Sequence, residues 1–193
     1  MEKKKLKLGE KIRKFRQDRN MNLTRLSELT SIAQSTLSKI ENDVISPGFD
    51  KVVSICRGLE IDISDLLSEK EGATSSQPMA RMTVTRKGDG ETVSSDTYTS
   101  RYLCNMISKK GMIPMIVDVN IRDGEETESQ MIRHAGEDYI YVLEGTVKVL
   151  LEHYAPVVLD TGDSMYFDSA MGHLLVAVGK KPARVLGVTL SAE

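Results

Sequence analysis

Apolar residues recur at helical spacing through the first third of the chain. Leu8, Ile12 and Phe15 fall at i, i+4 and i+7 with basic side chains mostly on the other face, which predicts an amphipathic helix. Asn20-Met-Asn22 breaks that helix, and Asn22 is placed to cap a second one carrying Leu23, Leu26 and Leu29. A tight turn at Ser31-Ile32 leads to a third helix through Leu37 and Ile40. Ser46-Pro47-Gly48 separates it from a fourth, with Val52, Val53, Ile55, Cys56 and Leu59. Asp62 then caps a short fifth helix bearing Ile63, Leu66 and Leu67.

The pattern changes past residue 80. Residues 68–80 are small and polar with Gly and Pro, which is linker chemistry. Beyond them, short β-rich runs at 113–119, 139–143, 146–151, 164–167, 173–178 and 184–190 alternate with Gly, Pro and Asp turns. Strands at this even spacing predict an antiparallel small barrel or jelly roll. The chain therefore divides into an all-α bundle at 8–67, a linker at 68–80, and an all-β domain at 81–193. No repeat or low-complexity tract interrupts this plan.

Composition adds a division of charge. The 193 residues carry 26 Lys+Arg against 28 Asp+Glu, a formal net charge of −2, and 40% are hydrophobic. Residues 1–67 are net +3 and the remainder net −5, with a surplus of seven positive charges in residues 1–25 alone. Such asymmetry suits one half to a polyanion, although a solvated basic face explains it equally well. No apolar run approaches a membrane span, and the basic start of the chain has no apolar stretch behind it, so no secretory signal is read. Cys56 and Cys104 form neither a disulfide framework nor a zinc pair. The expected location is the cytoplasm.

Residues 23–42 hold the first constellation that carries chemistry. Leu26/Leu29 and Leu37/Ile40 are the pairs expected to pack two helices across one turn. That leaves Gln34, Ser35, Thr36, Ser38 and Lys39 facing outward, compact hydrogen-bonding groups and one cation suited to base edges in a major groove. This stretch resembles the Cro/repressor-like (XRE-type) helix-turn-helix, over about residues 8–67. Its marks are Leu26, the run Ser35-Thr-Leu-Ser-Lys-Ile-Glu41, Ser46-Pro47 and the closing Ile61-Asp-Ile-Ser-Asp-Leu-Leu67. Ser27 stands where the pattern usually has Ala, and Ser31 where it has the turn Gly. The resemblance implies a lambda-repressor-like bundle that binds double-stranded DNA. It puts Gln34, Ser35 and Lys39 at base-contacting positions, with Thr36 and Ser38 shared between base and phosphate. Arg16, Asn22, Leu23 and Asn42 fall at phosphate-clamping positions. Lys14, Arg19 and Arg25 read as a solvated face. For Lys3–Lys7, a backbone-reaching arm and a disordered tail both stand.

His134 and His173, two of only three histidines, flank the central strands of the second half. Asp138-Tyr-Ile-Tyr-Val-Leu-Glu-Gly145 and Gly162-Asp-Ser-Met-Tyr-Phe-Asp168 through His173 resemble the two motifs of the cupin fold, with a motif core at about 112–190. The whole chain thus resembles regulators that join an XRE-type head to a cupin sensor. Many cupins hold a divalent metal through three His and one Glu. Here His134 matches the second His, Asp138 stands where the Glu belongs, and His173 matches the last His. Ile132 holds the first His position, and Glu126 replaces the motif's opening Gly. A facial triad of His134, Asp138 and His173 and a metal-free polar pocket both remain open. The resemblance lines the ligand cavity with Ile132, His134, Asp138, Ile140, His173 and Leu175.

The remaining features read more plainly. His153 belongs to the surface, and Tyr139 and Tyr141 point away from the Asp138 face. Met106, Met112, Met115, Met131, Met165 and Met171 read as core filling, Glu125, Glu126 and Glu128 as a solvated turn, and Cys104 as a structural thiol. The expected function is a dimeric transcriptional regulator, not an enzyme, which reads a pseudo-palindromic operator and senses a small-molecule effector in the cupin barrel. Two alternatives stand beside it: a metal-dependent cupin dioxygenase or isomerase with a DNA-binding head, and a regulator whose cupin is purely structural.

Overall fold

A computed structural model describes residues 8–67, 81–107 and 110–191, which form an all-α unit followed by an all-β unit. The proposed linker at 68–80 and the basic stretch Lys3–Lys7 lie outside the described residues. Among the described residues, no helix is long and apolar enough to cross a membrane.

Five helices build the first unit: α1 (Leu8–Asp18), α2 (Leu23–Thr30), α3 (Gln34–Glu41), α4 (Phe49–Leu59) and α5 (Ile63–Leu67). The Asn22 side chain accepts the Arg25 N–H at 2.8 Å, so α2 starts where an Asx cap predicts. Ser31 ends it in the left-handed conformation at φ 56°, the task usually left to glycine. Ile12, Leu26, Leu37, Ile40, Val52, Ile55, Leu59 and Leu66 form the core and are at most 1% exposed. One expected core position is wrong. Leu29 is 42% exposed, and Thr30 takes the inward place because its hydroxyl donates back to the Leu26 carbonyl at 2.7 Å.

The close approach of α1 to the end of α3 depends on a glycine. A Cβ on Gly9 would lie 2.1 Å from the Ile40 carbonyl oxygen. Without that atom, the Gly9 N–H reaches the Asp43 carboxylate at 3.0 Å. An acidic side chain at a helix N-terminus satisfies a free amide and complements the helix dipole. The last turn of α3 is thereby seated on the first turn of α1.

Among the described residues the second unit has nine strands: β1 (Glu91–Ser94), β2 (Tyr98–Tyr102), β3 (Met112–Val119), β4 (Gly136–Glu144), β5 (Thr146–Leu151), β6 (Val157–Asp160), β7 (Ser164–Asp168), β8 (His173–Ala177) and β9 (Ala183–Ser191). They pair antiparallel in two sheets, β1-β2-β3-β9-β4-β7 and β6-β5-β8. The six expected strands are present. The three unexpected ones are β1 and β2, whose polar sequences lack an apolar alternation, and β6, four residues directly after Pro156.

Strand alternation sorts the large sheet into two faces. Buried residues on one side include Val117, Val119, Ile140, Val142, Phe167, Ala183 and Val185. They meet the matching side of the small sheet, where Val147, Val149, Leu151, Leu175 and Ala177 are buried. Methionine contributes less to this core than expected: Met115 is buried, but Met106 and Met112 are each 61% exposed.

Candidate DNA-reading helix and cupin pocket

On α3 the buried residues are Leu37, Ile40 and Glu41. Gln34, Ser35 and Lys39 are exposed, and Thr36 and Ser38 are half-buried at the margins. The helix thus presents the expected polar stripe as one continuous surface. Leu23 is half-buried at the start of α2, next to the capping Asn22. Asn42 is exposed, and its amide donates to the Ser38 carbonyl at 2.7 Å while its oxygen accepts from Arg13 at 2.6 Å.

Arg16 has a structural task within the bundle. Its guanidinium donates to both oxygens of Glu41, at 2.6 and 2.8 Å, and to the Met21 carbonyl at 2.8 Å. Glu41 is 2% exposed and the Arg16 side chain 12%, so the pair sits inside the bundle, where Glu41 raises the guanidinium pKa. Arg16 therefore braces α3 against α1 with three of its five N–H donors. The residue pattern gave no warning, because an outward Arg and a bracing Arg look alike until the buried Glu41 is located.

In the β unit, three elements converge on one cluster. His134 lies just before β4, Asp138 on β4 and His173 at the start of β8. The Asp138 Oδ2 is 3.4 Å from His134 Nε2 and 3.5 Å from His173 Nε2. The two imidazoles meet edge-to-face at 5.2 Å, and Phe167 lies 5.1 Å from the His173 ring. His134 and His173 are 8% and 1% exposed. His173 Nδ1 lies 2.9 Å from the Met171 carbonyl, which can only accept, so Nδ1 carries a proton and Nε2 is turned toward Asp138. A backbone contact of this kind is how proteins orient a metal-binding imidazole.

The expected cavity residues are placed around this cluster. Ile132 faces His173 across a bridge of two 3.0 Å backbone hydrogen bonds, and Ile140 and Leu175 are buried on the inner faces. Among the described residues, His134, Asp138 and His173 are the group whose ligand atoms all lie within 4.8 Å of one another. The donor set suits a divalent ion: two nitrogen ligands and a carboxylate whose buried Oδ1 has no hydrogen-bond partner among the described residues.

Two further polar residues are buried near this cluster. The Ser169 hydroxyl is fully buried and has no hydrogen-bond partner among the described residues, while its carbonyl accepts from His134 N at 3.0 Å. The Tyr98 hydroxyl accepts the Leu175 N–H at 2.7 Å. Burial drives its pKa upward, and the charge on Asp138 adds to the shift. On that edge of β8, residues 121–132 satisfy the backbone at His173 and at Ala177, and Tyr98 fills the gap at Leu175 between them. Tyr98 lay in a stretch too polar to be read as a strand, and Ser169 in an unremarkable turn.

The other candidates have structural roles. The Glu126 carboxylate is held at a pKa of about 2, chiefly by the hydrogen bond from Lys148, and it also accepts the Gly124 N–H at 2.6 Å. Glu125 accepts the Arg122 N–H at 3.1 Å. The acidic stretch is thus pinned by its own chain. Burial pushes the Cys56 thiol pKa upward, Cys104 is half-buried, and the His153 side chain is 79% exposed.

Comparisons with known proteins agree with this geometry. Residues 9–72 match the model of a helix-turn-helix domain, and residues 118–189 match that of a cupin domain. No curated protein matches the chain. Among solved structures, an HTH_3 family transcriptional regulator from Vibrio cholerae is 20% identical, with a TM-score of 0.65 over 97% of this chain and 96% of that one. Hydroxypropylphosphonic acid epoxidase from S. wedmorenis, in complex with fosfomycin, is 18% identical, with a TM-score of 0.48 over 95% and 97%. The chain thus carries a helix-turn-helix domain at residues 9–72 followed by a cupin domain at residues 118–189.

Proposed function

We propose that the protein acts in the cytoplasm as a homodimeric transcriptional regulator, without enzymatic activity of its own. Its α3 helices read the half-sites of a pseudo-palindromic operator, and its cupin barrel senses a small-molecule effector. The observation that carries this reading is the division of α3, with Leu37, Ile40 and Glu41 inward and Gln34, Ser35 and Lys39 outward. An eight-residue helix covers one half-site, so two copies are needed for an operator of useful selectivity. Polar groups buried in the lumen support the sensing role, since a structural β-barrel is better filled by apolar side chains. An effector shifts operator affinity only through unequal affinity for two arrangements of the dimer.

The test is a binding titration on an operator obtained by selection from genomic DNA. Each lost base contact costs about 1–3 kcal/mol, so Gln34→Ala with Lys39→Ala lowers the ratio of specific to non-specific affinity by at least about 30-fold. An unchanged ratio removes α3 as the reading element.

The cluster of His134, Asp138 and His173 favours a second reading, a metal-dependent cupin enzyme with a DNA-binding head. A divalent ion held by these three residues would supply Lewis-acid activation of an oxygen-bearing ligand. Metal analysis of protein purified without added metal separates the two readings. Stoichiometric iron, manganese or zinc that disappears with His173→Ala supports the enzyme; its absence leaves the sensor.

A further inference from the structure

The face of the large sheet turned away from the barrel interior is apolar across several strands. Strand register puts Leu186 between Ile116 and Tyr141 in one row. In the next row Val188 lies between Pro114 and Tyr139, with Tyr166 beyond Tyr139. Leu190 and Met112 continue the surface in the third. Tyr139, Tyr141, Tyr166 and Leu190 are 39%, 37%, 61% and 41% exposed. Single exposed apolar side chains are ordinary on a protein surface, but a contiguous block of them marks an interaction site.

We propose that this face, centred on Tyr139, Tyr141, Leu186 and Val188, is the surface on which a second copy of the chain docks to form the dimer. The identification rests on the regulator reading for its need of two copies, but the surface itself is read from register and exposure alone.

Three observations favour a second copy over other occupants. Four strands about 4.8 Å apart, with their flanking rows, span roughly 20 Å by 20 Å. That is about 400 Å² of flat area, about half of the roughly 800 Å² per partner of a standard protein interface, with side-chain relief and the polar rim adding to it. The composition matches as well, because tyrosine and methionine concentrate at protein–protein interfaces. The charged border completes the picture. Arg184 bonds Asp118 at 2.6 Å and lies 3.8 Å from Glu144 at one end, while Glu137 and Asp168 border the other. That border is net acidic, which repels nucleic acid and an anionic membrane surface, yet forms the polar rim a protein interface needs. An isologous contact uses the same patch on both copies, so one self-complementary apolar block is sufficient.

The experiment measures the mass of the full chain in solution by light scattering at micromolar concentration. The wild type runs at twice the chain mass. Tyr139→Arg with Tyr166→Arg, both at exposed positions, raises the dimer dissociation constant at least 100-fold and gives the monomer mass, with an unchanged far-ultraviolet circular dichroism spectrum. Val158→Arg, which puts the same charge on an exposed apolar residue of β6 in the other sheet, leaves the dimer intact. A monomeric wild type, or a dimer that survives the double substitution, overturns the proposal. A dimer that dissolves as expected but selects no operator upholds the face and removes the regulator reading. The two failures are therefore distinct.

Discussion

The Arg16 guanidinium grips both oxygens of Glu41, at 2.6 and 2.8 Å, and so ties α1 to the last turn of α3. Glu41 is almost wholly buried, and Arg13 adds a longer contact at 3.4 Å. Removing one partner of such a pair strands the other charge in the interior, whereas replacing both with apolar side chains is often tolerated. Arg16→Met alone therefore costs about 3–5 kcal/mol in denaturant unfolding, and adding Glu41→Leu restores most of the loss. The double variant also tests the phosphate question. Each phosphate contact contributes about one unit to the slope of log affinity against log salt. Operator titrations across salt concentrations give the same slope for wild type and double variant, because Arg16 is largely buried and commits three of its five N–H donors within the protein.

Much of the fold was legible from the residues. Five helices and six strands emerge from periodicity, since helical spacing and period-two alternation survive wherever one face is buried and the other wet. What escaped had no such contrast. Strands β1 and β2 carry Thr, Ser, Arg and Glu on a sheet margin, and β6 is too short to establish a period. The site was half legible. His134, Asp138 and His173 stood out as rare chemistry at suggestive positions, and they do converge. Tyr98 did not, because its place beside β8 depends on which strands pair across the two sheets. The bracing role of Arg16 and the exposure of Leu29 escaped for a related reason. Helical periodicity says which side a residue is on but not whether a buried partner or a back-bonding Thr30 will claim that side.

The clamp on the segment before His134 gives a pH dependence. Lys148 bonds Asp123 and Glu126, so a strand of the small sheet pins the loop between β3 and β4. The Glu126 pKa, about 2, lies below the roughly 4.3 of a free glutamate. Its stabilising contribution is therefore complete above about pH 4.3 and lost as pH falls through about 2. The Lys148 pKa is raised, so its contribution is complete below the ordinary lysine value of about 10.4 and lost as pH climbs past the raised one. Lys148→Met lowers stability by about 1 kcal/mol or less, the usual size for a pair that water reaches. Urea unfolding midpoints show that deficit at a constant level from pH 5 to 9, and it closes as pH approaches 2.

Tyr98 lies where the two sheets meet. Its hydroxyl accepts the one Leu175 N–H that the flanking segment leaves open on the edge of β8, two residues beyond His173. A buried amide without an acceptor costs about 1–3 kcal/mol. Tyr98→Phe keeps the ring and removes only that acceptor, so unfolding stability falls by about this amount. The imidazole of His173 is oriented separately, by the Met171 carbonyl. If added zinc binds the cluster, its affinity, measured by competition with a chromophoric chelator, stays within about twofold in Tyr98→Phe and is lost in His173→Ala. If Tyr98→Phe weakened zinc tenfold with no loss of stability, the hydroxyl would belong to the ion's coordination and not to the seam between the sheets.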